Sequence, residues 1–254
     1  MLPISVAIIT KNEEKNIRAA LESIRNGTEI IIVDAFSKDR TVEICREYTN
    51  KIYQQEWQGY AKQKQMAIEF AERQWVFILD SDERFTTALW DEIQGIIKNG
   101  NTYSGFYVPR KNIFLGKWIK HGGWWPDYTL RLFLKEKATI QERKVHEKVI
   151  VEGKIGYLRN HIEHYSYRTI SDYLKKMDIY STLSAEELQK KNIKPCLFNL
   201  ITHPVATFLK MFFLKFGFLD GKQGLILAIL YSQYTFLKYL RLWEMSHQNN
   251  TQIQ

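Results

Sequence analysis

The sequence predicts an α/β protein: a parallel, doubly wound sheet in roughly the first two thirds of the chain, with an apolar helical extension after it. Three observations carry this reading. Apolar, β-branched runs of strand length alternate with segments whose apolar residues recur at helical spacing. Three of those runs end on a polar residue, at Thr10, Asp34 and Asp80. From Thr169 onward the strand pattern gives way to long helical stretches.

The elements follow in order. ISVAIIT (4–10) reads as a strand, and EEKNIRAALESIRN places Ile17, Ala20, Leu21 and Ile24 on one helical face. EIIIVD (29–34) is a second strand, DRTVEICREYTN a helix, KIYQQE a short strand, AKQKQMAIEFAE a helix, and WVFILD (75–80) a further strand. Strands that are continuously apolar are covered on both faces, which is the habit of parallel sheets. In such sheets ligands bind beyond the carboxyl ends of the strands. Thr10, Asp34 and Asp80 therefore converge on one edge.

After Phe106 come aromatic and glycine-rich segments, GKWIKHGGWWPDYTLRLF, ERKVHEKV and YLRNHIEHYSYR, read as mixed strands and loops closing over that edge. TISD at Thr169 has the form of a capping box, and Pro195 marks the stop of the helix it opens. Two more helices are expected, one from near Pro204 to Gly217 and one from Gly221 to Trp243, with a flexible polar tail from Ser246. The expected division is residues 1–168, 169–245 and 246–254.

A chain with 45% hydrophobic and 25% charged residues is globular rather than disordered. Its two cysteines, Cys45 and Cys196, are too far apart to suggest a disulfide framework or a zinc cluster, which fits a reducing compartment. The start MLPISVAIITKNEE lacks the features of a secretory signal, so a cytoplasmic location is expected. The net charge of +8 is concentrated late: from Lys154 onward there are 13 basic against 7 acidic residues. Nucleic acid, an anionic membrane surface and an acidic substrate all stay open as partners on charge alone.

The segments VATFLKMFFLKFGFL and GLILAILYSQYTFLKYLRLW are the most apolar. Lys210, Lys215 and Lys238 interrupt them, which argues against crossing a bilayer. Apolar helices edged with Lys and aromatic residues can lie in a membrane interface. Packing as a hairpin on the α/β domain or on another subunit is the competing reading, so a homo-oligomer stays open.

The chemistry centres on LDSDE (79–83). Mg²⁺ or Mn²⁺ takes hard oxygen ligands, typically one or two carboxylates plus substrate phosphates. Asp80 and Asp82, spaced i, i+2 where a strand breaks into a loop, can aim at such an ion; alone, the motif is as readily a solvated turn. A second acidic strand end, Asp34 with Asp39 nearby, can accept a hydrogen bond from a nucleobase or ribose edge. Lys64, in the basic start of the helix GYAKQKQMAI, suits a pyrophosphate or simply a solvated face.

Taken together, VAIITKNEEKNI, IIIVDAFSKDRTVEI, FILDSDE, GGWWPDYTLRLF, VHEKV and LDG resemble glycosyltransferase family 2 with the GT-A fold, and in particular the bacterial lipopolysaccharide core β-glucosyltransferases. The resemblance covers nearly the whole chain. It implies a Rossmann-like, doubly wound mixed sheet and inverting transfer of a hexose, with glucose from a UDP-sugar as the family-level expectation. The acceptor would be a hydroxyl of a lipid-linked or oligosaccharide molecule at the inner face of the cytoplasmic membrane. It implies a donor-binding set of Thr10, Asn12, Glu13, Asp34, Lys64, Asp80, Ser81 and Arg131, and a metal on Asp80 and Asp82. Relatives often carry Arg-Asn where Lys64 and Gln65 stand here, so the forked guanidinium contact to phosphate is replaced by a point charge.

Inverting transfer also needs a base for the acceptor hydroxyl. The Glu-Asp pair common in relatives is missing; Glu147 in KVHEK and Asp127 in WWPDYTLRLF are the candidates, with Glu147 ahead because it follows RLF. His146 can orient Glu147, ligate the metal or pack. Arg131 can contact phosphate or pair with Asp127, four residues before it. Trp124 and Trp125 suit a sugar platform or the core, and His161 and His164 are read as structural. A nucleotidyltransferase shares strand-end acids and a metal, but the Gly-rich phosphate loop of such enzymes is missing. A basic membrane- or nucleic-acid-binding module is the other competing reading; Asp80, Asp82 and Glu83 oppose nucleic acid as a partner.

Overall fold

The computed structural model describes residues 3–100, 102–141, 148–194 and 196–251, with backbone alone from 248 onward. Glu147 and His146 lie outside the described residues, as does Pro195. Two compact units emerge, the first formed by residues 1–111 and 127–165, the second by 112–126 and 166–254.

In the first unit, β1 (Ile4–Thr10), β2 (Glu29–Asp34) and β4 (Trp75–Asp80) fall at the bounds expected from sequence. With β3 (Ile52–Gln54) they form the parallel part of the sheet. The intervening helices are α1 (Ile17–Glu22), α2 (Thr41–Arg46) and α3 (Tyr60–Glu69). After β4 come the short β5 (Glu83–Arg84) and α4 (Thr87–Lys98), whose Thr86 hydroxyl accepts the Leu89 N–H. Then follow β6 (Gly105–Phe114), β7 (Lys117–Trp118), β8 (Asp127–Leu134), β9 (Ala138–Gln141), β10 (Lys148–Val151), β11 (Ile155–Tyr157) and β12 (Ile162–Tyr167), of which β7 and the last residues of β6 and β12 are counted in the second unit.

The strand order is β3-β2-β1-β4-β8-β6-β12-β5, with β4–β8 and β8–β6 antiparallel, so the parallel half continues into an antiparallel half and the sheet is mixed. Alternate residues of one strand feed different cores. Val6 and Ile8 join Ile17, Leu21, Leu89 and Trp90 on one face; Ala7 joins Val33, Ala67, Ile68 and Val76 on the other. The helices on the two sides bury both faces, which is why the strands read as unbroken apolar runs.

The first two helices are shorter than their sequence periodicity suggests, because the flanking residues are spent on the loops. The Glu13 backbone N–H donates to the Thr41 hydroxyl at 2.7 Å, and Asp39 takes both the Thr41 N–H and its hydroxyl.

In the second unit, α5 (Ile170–Lys190) opens with the expected capping box: the Thr169 hydroxyl accepts the Asp172 N–H, and the Asp172 carboxylate accepts the Thr169 N–H. α6 (Leu197–Leu209) begins well before Pro204, which sits inside it, and runs into a π-helical turn at Lys210–Leu214. Here the proline does not start the helix as expected. α7 (Gly221–Thr251) continues past Trp243 and through the first residues of the polar tail. Trp124 packs with Phe114, Tyr173, Met211 and Leu227 in the core of this unit. Core burial thus accounts for Trp124, while Trp125 meets Trp118 edge to face at 5.3 Å.

The LDG motif has a structural task in the second unit. Asp220 is buried and accepts the Lys120 and His121 backbone N–H groups at 3.2 and 2.8 Å, with the His121 ring Nδ1 3.3 Å away. A Cβ on Gly224 would lie 1.9 Å from the Gly217 carbonyl oxygen, so only glycine permits this approach. The segment Leu197–Leu214 is long and apolar enough to cross a membrane, and only 6% of it is buried.

Candidate active site at the strand ends

The parallel register brings the three strand ends together, pairing Thr10 with Asp34 and Ile9 with Asp80. At the β1–β2 end, the Thr10 hydroxyl donates to Asp34 Oδ1 at 2.9 Å, while Ser37 donates its N–H to Oδ2 and its hydroxyl to Oδ1. Asn12 donates its N–H to the Ser37 hydroxyl and accepts the Lys38 N–H on its side chain, each at 2.8 Å. Glu13 accepts the Asn16 side-chain amide at 2.8 Å. Thr10, Asp34 and Asn12 are therefore linked through Ser37, Glu13 bonds instead to Thr41 and Asn16, and these hydrogen bonds tie two loops into one frame. Asp34 itself is fully buried.

At the β4 end the arrangement is electrostatic. Lys64, buried on α3, places Nζ 3.0 Å from Asp80 Oδ1. Arg131, on β8, reaches Asp80 Oδ2 at 2.5 Å and Glu83 Oε1 at 2.5 Å through the same Nη2. Glu83 Oε2 accepts the Asp80 backbone N–H at 3.0 Å, which closes the turn. Burial opposes the charged form of Asp80, but Arg131 and Lys64 outweigh it and hold the carboxyl well below its usual range. Burial pushes Glu83 up; Arg131 pulls it down and neighbouring Asp80 adds to the rise, leaving it raised. One guanidinium thus holds two carboxylates whose titrations are driven apart.

Arg131 pairs with Asp80 and Glu83 rather than with Asp127, which instead bonds Arg110 at 2.7 Å. The i, i+4 spacing of Asp127 and Arg131 is irrelevant on a strand, where the period is two. Ser81 is buried in the turn. The Asp82 carboxylate stands 3.5 Å from His164 Nε2, while its backbone carbonyl accepts the Tyr165 N–H at 2.9 Å.

The acid Glu83 is visible in LDSDE, but no local pattern points to Arg110 or to His164, which is expected to be structural and comes beside Asp82 through a strand pairing across about eighty residues.

No group of three or more His, Cys, Asp or Glu residues able to hold a metal occurs among the described residues. Two ligand atoms 3.5 Å apart, one carboxylate oxygen and one imidazole nitrogen, can both approach one divalent cation at roughly 2.0–2.2 Å. Mn²⁺ with its remaining positions filled by phosphate oxygens and water fits this carboxylate–imidazole set, Mg²⁺ fits its carboxylate alone, and a metal held by protein alone does not fit.

The family model for Glycosyl transferase family 2 matches residues 5–166, which contain every strand end described above. The chain belongs to glycosyltransferase family 2. Members similar to it over nearly their whole length include the lipopolysaccharide core biosynthesis glycosyltransferase LpsC of Rhizobium meliloti, 29% identical over 96% of this chain and 93% of LpsC. An uncharacterized glycosyltransferase of Rickettsia typhi is 32% identical over 97% of this chain and 88% of its own. Among solved structures, the mannosyltransferase PcManGT of Pyrobaculum calidifontis, in complex with GDP-Man and Mn²⁺, superposes with a TM-score of 0.56 over 95% of this chain and 87% of its own, at 12% identity. The fold is GT-A, and the family activity is glycosyl transfer.

Proposed function

We propose that this glycosyltransferase moves a hexose, with inversion, from a nucleoside diphosphate sugar to a hydroxyl of a lipopolysaccharide core or other cell-envelope glycan. UDP-glucose is the donor we favour, and the reaction is read as dependent on Mg²⁺ or Mn²⁺. The observation that carries this reading is the strand-end site, where the Asp82 carboxylate lies 3.5 Å from His164 Nε2 beside the Lys64–Asp80–Arg131–Glu83 cluster. Of the expected metal pair, Asp82 would hold the ion with His164, while Asp80 is taken up by Lys64 and Arg131. The likeness to LpsC supports the choice of acceptor class.

In this mechanism Thr10, Asn12, Glu13 and Asp34 shape the nucleoside end of the site. Lys64 and Arg131 supply positive charge around Asp80 and fix the turn that presents Ser81 and Asp82. A bound divalent ion would offset charge on the departing diphosphate. Glu147 is the proposed base for the acceptor hydroxyl, with His146 beside it; Asp127, held by Arg110, is the second candidate.

We assign the exposed helical face of the second unit to the cytoplasmic leaflet. Leu197, Ile201, Val205, Leu209 and Phe213 recur every four residues and are each about half exposed or more, and exposed Lys210 and Lys215 stand at the end of that stripe. An apolar stripe bordered by lysines suits an anionic lipid surface. Binding to vesicles containing anionic lipid, lost on Ile201→Glu, tests this assignment. A stable dimer that ignores vesicles would replace the membrane with a second copy of the chain.

The deciding experiment is donor hydrolysis and thermal stabilisation by a panel of nucleotide sugars, with and without Mn²⁺, on wild type and Asp82→Asn. A metal-dependent response to one donor, lost in the variant, is expected. Turnover that ignores both metal and the substitution would overturn the reading.

A further inference from the structure

Phe36, a residue 52% exposed, occupies a left-handed backbone conformation, φ 51°, two residues past Asp34. Bulky residues avoid this region, and a strained residue kept at a functional edge calls for a reason. Packing does not supply one, since Phe36 is an exposed residue. The backbone is held from both sides: Ser37, the next residue, donates twice to Asp34 and accepts the Asn12 N–H. The frame therefore fixes Phe36 with its ring directed away from the core.

A second exposed aromatic lies in the loop that follows the adjoining strand. β2 and β3 pair in parallel up to Asp34 and Gln54, and Trp57 follows three residues later, 38% exposed. Lys11, the residue after Thr10, holds its ammonium 5.6 Å from the Trp57 ring centroid, and Tyr60 meets that ring edge to face at 4.8 Å. Both rings thus stand at the β2–β3 side of the edge, two or three strands from Asp82. At about 4.8 Å per strand, that is roughly 10 Å or more.

A donor whose diphosphate lies at Asp82 would extend its nucleoside toward this side. The Asp34 carboxylate is already engaged by Thr10 and Ser37. Exposed ring faces add the stacking contact that these hydrogen-bonding groups cannot make with a base.

We infer that Phe36 and Trp57 form the stacking surface for the nucleobase of the donor. This rests on the donor-site reading above and adds the residues that grip the base. Phe36 trades backbone strain for an aromatic face, so stability and donor affinity should respond to its removal in opposite directions.

The test is titration of wild type, Phe36→Gly, Phe36→Tyr and Trp57→Ala with UDP, GDP and inorganic pyrophosphate in the presence of Mn²⁺, beside thermal melts. Stacking energies imply about a tenfold or greater loss of nucleoside diphosphate affinity in Phe36→Gly and in Trp57→Ala. Pyrophosphate affinity should stay unchanged, and Phe36→Tyr should restore binding. Phe36→Gly should melt at or above the wild-type temperature, because glycine accepts φ 51° without strain. Unchanged UDP and GDP affinity in both variants, or equal losses for pyrophosphate and nucleoside diphosphate, would overturn the inference. A wild type that binds none of the three probes would instead sink the donor-site reading itself.

Discussion

Replacing Arg131 with methionine isolates the electrostatics of the β4 turn, because methionine keeps most of the side-chain volume and removes the charge. The Arg131 side chain is 4% exposed and that of Glu83 is 0% exposed, so the loss leaves a buried carboxylate beside Asp80 without its shared cation. Removing one partner of a buried ion pair costs about 3–5 kcal/mol. For a chain of this size, at roughly 2–4 °C per kcal/mol, the melting temperature should fall by about 6–20 °C.

The penalty has a pH signature. Glu83 is already raised above its usual value, and without Arg131 it rises further. A carboxyl whose folded pKa exceeds its unfolded one favours the fold at low pH and loses that advantage as pH rises. The variant should therefore be closer to wild type near pH 5 than near pH 8. Glu83→Gln alone should be milder, and the double variant less unstable than the sum of the singles, with a coupling of about 1–3 kcal/mol. Thermal and urea melts of the four proteins at two pH values provide the assay. An Arg131→Met protein that melts within about 2 °C of wild type, or strict additivity in the cycle, would refute the reasoning.

Three other outcomes are expected. Burial alone would raise Glu29, but Lys51, the Ser5 hydroxyl and the Glu72 N–H hold it at about 2, so its contribution is present above the unfolded value and fades as pH falls from about 4.5 towards 2. With Lys51 one-third exposed, so that solvent screens the pair, that contribution is about 1–2 kcal/mol, read as a shallower acid-unfolding curve in Glu29→Gln. Gly224→Ala forces a methyl against the Gly217 carbonyl and should destabilise the second unit by about 3 kcal/mol or more, seen as a lower melting temperature; an unchanged melt would show that the turn yields freely. His164→Ala should raise the Mn²⁺ concentration needed for half-maximal turnover by about tenfold or more while leaving the melt nearly unchanged; an unaltered metal requirement would remove His164 from the site.

The sequence by itself determined the parallel half of the fold. Short, β-branched apolar runs at 4–10, 29–34 and 75–80, alternating with helical segments, suit strands covered on both faces, and in a parallel sheet their polar last residues share an edge. The capping box at Thr169 was equally legible, since its bonds are local. Helix bounds were less so: Pro204 lies inside α6 rather than at its start, and α7 runs on beyond its last apolar residues.

Only the tertiary structure decided who pairs with whom. Arg131 chose Asp80 and Glu83 over the nearer Asp127, because its strand lies beside β4 and buried carboxylates gain most from a buried cation. His164 reached Asp82 through a strand pairing invisible to any local pattern. The exposure of Phe36 in a strained turn likewise follows from loops that bond to each other across about 25 residues of chain. Local chemistry fixes which elements form; long-range pairing and burial set the charges and faces that the site presents.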